Sequence, residues 1–233
     1  MNLITEAAPF LDFLSAWEAN LTTLSLNEAI SEPEHTAIIS IDVINGFCYQ
    51  GPLSSSRVAN IVNPIAELFQ KSWDAGLRDI VLVQDTHNPE AEEFAQWPAH
   101  CVRGTYEAET VQAIKDLSFY NDMVVIPKNS INPALNTGLD DWQSDHPGIH
   151  TYIITGDCTD LCTYQLAMHM RLQANASQIG RQVILPANCT DTYDMPLDTA
   201  RSIGALPHPA NLLHLIFLYH MALNGVNVVN KIE

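Results

Sequence analysis

The residues able to do chemistry in this chain fall into four short blocks. The block Gly156-Asp-Cys-Thr-Asp-Leu-Cys162 follows a β-branched run and opens a helix-like stretch. Cys162 would then sit in the first turn of a helix. There the helix dipole and a neighbouring cation lower a thiol pKa and favour the nucleophilic thiolate. Asp42, at the end of the run Thr36–Ile41, is placed to take the thiol proton and later deliver it to a leaving group. Lys128, just past Met123–Ile126, could hold thiolate and carboxylate together. Backbone N–H groups at the helix entrance would form an oxyanion hole. The competing reading of Cys162 is a buried small apolar side chain, the usual state of a free cysteine.

A second chemistry is written in Gln84-Asp-Thr-His87 and Trp97-Pro-Ala-His-Cys101. Side chains alternate along extended backbone, so Asp85 and His87 face one side, and His100 can join them from the following loop. Three protein ligands from a loop leave positions open for water or substrate, as catalytic metal sites do. The oxygen and imidazole mixture suits Zn, Fe or Mn. Two surface histidines and a turn aspartate are the alternative. Glu92 and Glu93 could add a ligand or form a solvated loop. Cys158, four residues before Cys162, lies outside C-x-x-C zinc spacing. His208, His214 and His220 are spaced by six, share no helix face well, and read as core-edge or surface residues. Asp141, Asp145 and His146 read as a solvated helix end, and Cys189 as buried. No G-x-G-x-x-G, Walker A or G-x-S-x-G motif is present, so neither a nucleotide cofactor nor a serine hydrolase has support.

The elements that must position these residues follow from periodicity. β-Branched runs at Thr36–Ile41, Asp79–Val83, Met123–Ile126, Thr151–Thr155, Val183–Leu185 and Val226–Val229 alternate with helix-like segments near 57–75, 107–117, 160–177 and 209–223. Near-continuous apolar strands separated by helices predict an α/β fold with a doubly wound, mainly parallel sheet between two helical layers, a Rossmann-like three-layer α-β-α sandwich. Ligands of such sheets bind beyond the carboxyl ends of the strands, where all four blocks fall. Residues 1–35 read as an N-terminal helical extension, with Phe10, Leu11, Phe13, Leu14 and Trp17 at helical spacing, and 36–233 as the main domain.

With Lys and Arg totalling 10 against 27 Asp and Glu, the net charge of −17 argues against nucleic acid and anionic membrane partners. A hydrophobic share of 47% is ample for a packed core and argues against disorder. Five cysteines, an odd number, suggest free thiols in a reducing compartment. The first positive charge is Arg57 and no apolar run reaches about 18 residues, so a cytoplasmic location is expected.

The chain resembles the isochorismatase-like cysteine hydrolases, and nicotinamidases most of all. Four blocks in register carry this: Ile41-Asp-Val-Ile-Asn-Gly-Phe-Cys48, the Asp85 to Thr105 segment, Ile126-Pro-Lys-Asn129, and Gly156 to Cys162. The resemblance implies an isochorismatase-like fold and a catalytic triad of Asp42, Lys128 and Cys162. It implies metal ligands Asp85, His87 and His100, and a cis peptide before Cys158. The N–H groups of Cys158 and Cys162 would form the oxyanion hole, and Phe47 and Trp97 would flank a planar substrate. The implied reaction is hydrolysis of a small carboxamide through a thioester, with one divalent ion, zinc first, no organic cofactor, and a homo-oligomeric assembly. The chain departs from the family at Ile44 and Gly46, where many nicotinamidases carry Gln and Asp. Asp157 and Cys158 stand in place of two small apolar residues. A metal-independent relative acting on another amide, a carbamoyl compound or an isochorismate-like ether is the alternative, and a catalytically silent binding protein is a third.

Overall fold

The structure is a computed structural model that describes residues 2–233. The chain begins with α1 (Leu3–Ala19), β1 (Thr23–Leu24) and α2 (Leu26–Ala29). It continues through β2 (Thr36–Ile41), α3 (Asn45–Cys48), α4 (Ser56–Asp74) and β3 (Asp79–Asp85). Then come α5 (Gln112–Lys115), β4 (Val124–Lys128), α6 (Leu139–Asp145), β5 (Thr151–Asp157) and α7 (Cys162–Ser177). The last part comprises β6 (Gln182–Pro186), β7 (Thr190–Asp191), α8 (Leu197–Ile203), α9 (Ala210–Leu223), β8 (Asn227–Val229) and β9 (Lys231–Ile232).

The main sheet has the order β4-β3-β2-β5-β6-β8, with β7 alongside the end of β5, and every pairing is parallel. Its central strand, β2, is buried at all six positions, as expected of a strand covered on both faces. Two clusters of buried side chains divide the alternate residues of each strand. Ile38, Ile80, Leu82 and Ile153 pack against α4, while Ile39, Val81, Val83 and Ile154 pack toward α7 and α9. This is the three-layer α-β-α arrangement expected from the sequence. The strands run further than their apolar stretches, because polar residues at their ends still pair: β3 continues to Asp85 and β4 to Lys128, side by side in the ladder.

Two expectations need correction. The stretch 107–117 is not one helix: a 3-10 turn at Tyr106–Ala108 and the four-residue α5 share it, and Glu109 between them has extended backbone. The first 35 residues are not helical throughout. After α1 the chain forms β1, which pairs with β9 at the C-terminus through Thr23 opposite Lys231 and Leu24 opposite Ile232. The α2 turn is fixed by Ser25, which accepts from the Glu28 N–H while the Glu28 carboxylate accepts from the Ser25 N–H.

Gly156 explains how β5 lies so close to β2 at the site. Its φ is +112°, and a Cβ there would stand 2.0 Å from the Ile41 carbonyl oxygen. No other residue type fits that approach.

Candidate active site

The strands β2, β3 and β4 and the helix α7 after β5 each deliver one group to the same end of the sheet. Asp42 follows β2, with a left-handed backbone at φ +56°. Its Oδ1 accepts from the Asp85 N–H at 2.7 Å, which ties the ends of β2 and β3 together. Lys128 closes β4 and is fully buried. Its Nζ donates to Asp85 Oδ1 at 2.5 Å, stands 2.8 Å from Asp42 Oδ2, and reaches Cys162 Sγ at 3.4 Å. Cys162 is the first residue of α7, and no side chain caps that helix; the Thr163 N–H donates instead to the Cys158 carbonyl at 3.2 Å. The Asp157–Cys158 peptide is cis. One lysine therefore joins the thiol, the carboxyl of Asp42 and the carboxyl of Asp85.

The electrostatics follow from burial. Desolvation, then the neighbouring Asp85 charge, push the Asp42 pKa up to about 7 against the pull of Lys128. Burial works to neutralise Lys128 as well, but Asp42, Asp85 and Cys162 more than offset it and hold its ammonium form. The expected low thiol pKa of Cys162 is not found. Burial raises it well above the ordinary value, with Lys128 pulling the other way. The helix terminus and one lysine shared among three groups do not offset full desolvation. The resting thiol is protonated, and the matched acceptor for its proton is Asp42.

Asp85 also faces His87 and His100. Its Oδ2 lies 3.4 Å from His87 Nε2 and 3.9 Å from His100 Nε2. The far nitrogens are already engaged: His87 Nδ1 meets Asn129 Oδ1 at 3.2 Å, and His100 Nδ1 meets the Pro98 carbonyl at 2.8 Å. Both Nε2 atoms thus point at Asp85, and that of His87 is buried with no hydrogen-bond partner. An oxygen and two imidazole nitrogens converging on one point, with one orphaned, fit a divalent ion of the Zn, Fe or Mn type. Asn129 orients His87 from behind, as ligand-orienting partners do. It lies beside Lys128 in the sequence, where it could have been singled out.

A small cavity opens onto these groups. Phe47 and Trp97 line it together with Asp42, Asp85, His100, Cys158 and Cys162, so every candidate except His87 and Lys128 borders it directly. Glu93 also borders it, and its charge acts on both histidines. Among the lining residues that the sequence does not single out as site residues, two are polar, Asp157 and Tyr193.

Support for the nucleophile loop also went unseen. Asp160 accepts from Thr192 Oγ1 at 2.6 Å and pairs with His208 Nε2 at 2.7 Å. His208 is buried, donates from Nδ1 to the Tyr193 carbonyl, and stacks on the Tyr193 ring at 3.9 Å. Thr159 meets His214 at 2.7 Å. His208 and His214 are thus core-edge rather than surface residues, and they fix the loop that carries Cys158 and Cys162. Partners 48 and 55 residues apart leave no spacing signal.

Comparison with known proteins shows the family and the fold. A family model described as the isochorismatase domain matches residues 36–208. Nicotinamidase 1 of Arabidopsis thaliana is 28% identical over 221 residues, spanning 88% of this chain and 89% of that protein. Among solved structures, the pyrazinamidase/nicotinamidase of Streptococcus mutans superposes with a TM-score of 0.67 at 22% identity, covering 83% of this chain and 99% of that one. The pyrazinamidase of Pyrococcus horikoshii in complex with zinc gives 0.63 at 24% identity, covering 84% and 98%. The family match spans well over half of the chain, and the chain belongs to the isochorismatase family.

Proposed function

We propose that this protein is a cysteine amidohydrolase of the nicotinamidase type, converting a small planar carboxamide to its acid and ammonia. Hydrolysis of an amide C–N bond is the coarse reading that family membership and the curated nicotinamidase relatives support. The observation that carries the finer one is the triple contact of Lys128 with Cys162, Asp42 and Asp85, which puts nucleophile, proton carrier and candidate metal ligand on one ammonium group.

In this reading Asp42 takes the Cys162 proton and the thiolate attacks the carboxamide carbon. The oxyanion is met by the N–H groups of Cys158 and Cys162. Asp42 returns the proton to the amide nitrogen, the C–N bond breaks, and ammonia leaves a thioester on Cys162. Asp42 then draws a proton from water, whose oxygen attacks the thioester; the C–S bond breaks, the acid leaves, and Asp42 returns the proton to the Cys162 sulfur. Lys128 keeps Asp42 and the thiol in register throughout. Phe47 and Trp97 border the planar group of the substrate. A divalent ion held by Asp85, His87 and His100, zinc in the first place, would supply a Lewis-acid anchor for a ring nitrogen and so orient the substrate. The catalytic unit runs over 36–233, with 1–35 appended; the start of the family match at residue 36 supports that boundary.

The test is ammonia release from nicotinamide beside a panel of small primary amides. Turnover of nicotinamide that tracks zinc content supports the reading, and no ammonia from any amide refutes it.

A further inference from the structure

Asp157, the last residue of β5, is a third buried carboxyl lining the cavity beside Asp42 and Asp85, and the chemistry above does not use it. It borders the cavity beside Asp42, Phe47 and Cys162, yet is only 1% exposed. Its Oδ2 has no hydrogen-bond partner, and its Oδ1 meets only the Cys158 thiol, a weak donor, at 3.7 Å. A carboxyl buried without a partner is costly, so a group that borders a cavity in this state invites a ligand donor.

Register fixes its place. Ile41 lies opposite Gly156 at the end of the β2–β5 ladder, Asp42 and Asp157 come next in each segment, and both line the cavity, where the Asp42 charge acts on Asp157. Two carboxyls side by side do not both ionise. Lys128 lies against Asp42, whereas no cation pairs with Asp157 among the described residues. Asp157 is therefore the one that keeps its proton, and burial and the Asp42 charge both raise its pKa. A neutral carboxyl still offers a carbonyl oxygen as acceptor.

We propose that Asp157 is a specificity-determining residue whose carboxyl accepts an N–H of a primary carboxamide seated on Cys162, selecting the amide over the corresponding ester. This rests on the amidohydrolase reading, in which Asp42 serves the nitrogen end of the same group. A primary amide has two N–H bonds there, one for each neighbouring carboxyl, and an ester has none.

The experiment compares kcat/KM of the full-length wild type, Asp157→Leu and Asp157→Asn on nicotinamide and on methyl nicotinate. Leaving a substrate N–H unpaired costs roughly 10- to 100-fold. Asp157→Leu is therefore expected to lose that much on the amide while staying within about threefold on the ester, a change under ~1 kcal/mol. Asp157→Asn keeps a neutral acceptor and is expected to recover most of the amide rate. Equal loss on both substrates, no loss on either, or Asp157→Asn as impaired as Asp157→Leu would overturn the assignment. If Asp157→Leu fails to fold, as judged by its melting curve, Asp157→Ala replaces it. A wild type that releases ammonia from no amide overturns the amidohydrolase reading and this inference with it.

Discussion

Asp42 combines a left-handed backbone, full burial and a raised pKa in one non-glycine residue. Strained backbone of this kind costs about 1–3 kcal/mol and persists where its surroundings over-determine it. Here the Asp85 N–H and Lys128 hold the carboxyl from two sides. With a pKa near 7 the group can accept the Cys162 proton and still release it to a leaving amine. The sign of the pH dependence follows. Asp42 is a base only when ionised, so kcat/KM is expected to fall as pH drops below about 7, with an acid limb that Asp42→Asn removes together with the activity. A flat profile from pH 5 to pH 8 would contradict the assignment. Cys162→Ala is expected to abolish turnover with an unchanged melting curve, since one small side chain replaces another; residual turnover above the background rate would point to a different nucleophile. For His87, buried with an orphaned Nε2, substitution by Ala is expected to remove metal and weaken substrate binding together. Full metal stoichiometry in purified His87→Ala would reject His87 as a ligand.

At the scale of elements, the site is made by strand ends, which is why much of it was legible. A β-branched run that stops at an acid or a lysine marks both the strand and the group it delivers, and Asp42, Asp85 and Lys128 announce themselves in this way, whereas Cys162 opens the helix after β5. Asp160 and His208 do not, because a buried pair between a loop and a distant tail leaves no periodicity. Sheet order was equally hidden: apolar runs show that strands exist, but not that β2 would lie between β3 and β5. The thiol pKa was misjudged for a related reason, since desolvation depends on what covers Cys162 and not on its neighbours in sequence. At Gly156 the backbone of β5 comes too close to β2 for a Cβ to fit. Gly156→Ala adds a positive-φ penalty of ~1–3 kcal/mol to overpacking of ~1–3 kcal/mol against Ile41. A lowered melting temperature and a loss of activity are expected together. An unchanged melting temperature would mean that the strands separate there without cost.

For the whole molecule, the acidic charge says little about a small neutral amide, and no helix among the described residues is long and apolar enough to cross a membrane. The larger question is how the first 35 residues belong to the rest. α1 lies on α9, where Phe10, Phe13 and Trp17 surround the Tyr219 ring at 5.6, 5.7 and 5.3 Å, and Leu14 is fully buried. No residue of α1 borders the substrate cavity. Ser15 and Glu18 instead line a polar cavity with Arg57, Asp191 and His214, and His214 holds Thr159 of the nucleophile loop. Removing residues 2–20 while keeping β1 in place therefore separates stability from catalysis. Loss of a buried leucine alone costs about 2–5 kcal/mol, which at this chain length lowers Tm by roughly 5–15 °C. At a temperature where the truncated protein is still folded, KM and kcat are expected within about threefold of the full chain, a change under ~1 kcal/mol. If kcat collapses with KM and fold retained, α1 supports the nucleophile loop through His214, and the proposed catalytic boundary at residue 36 is wrong.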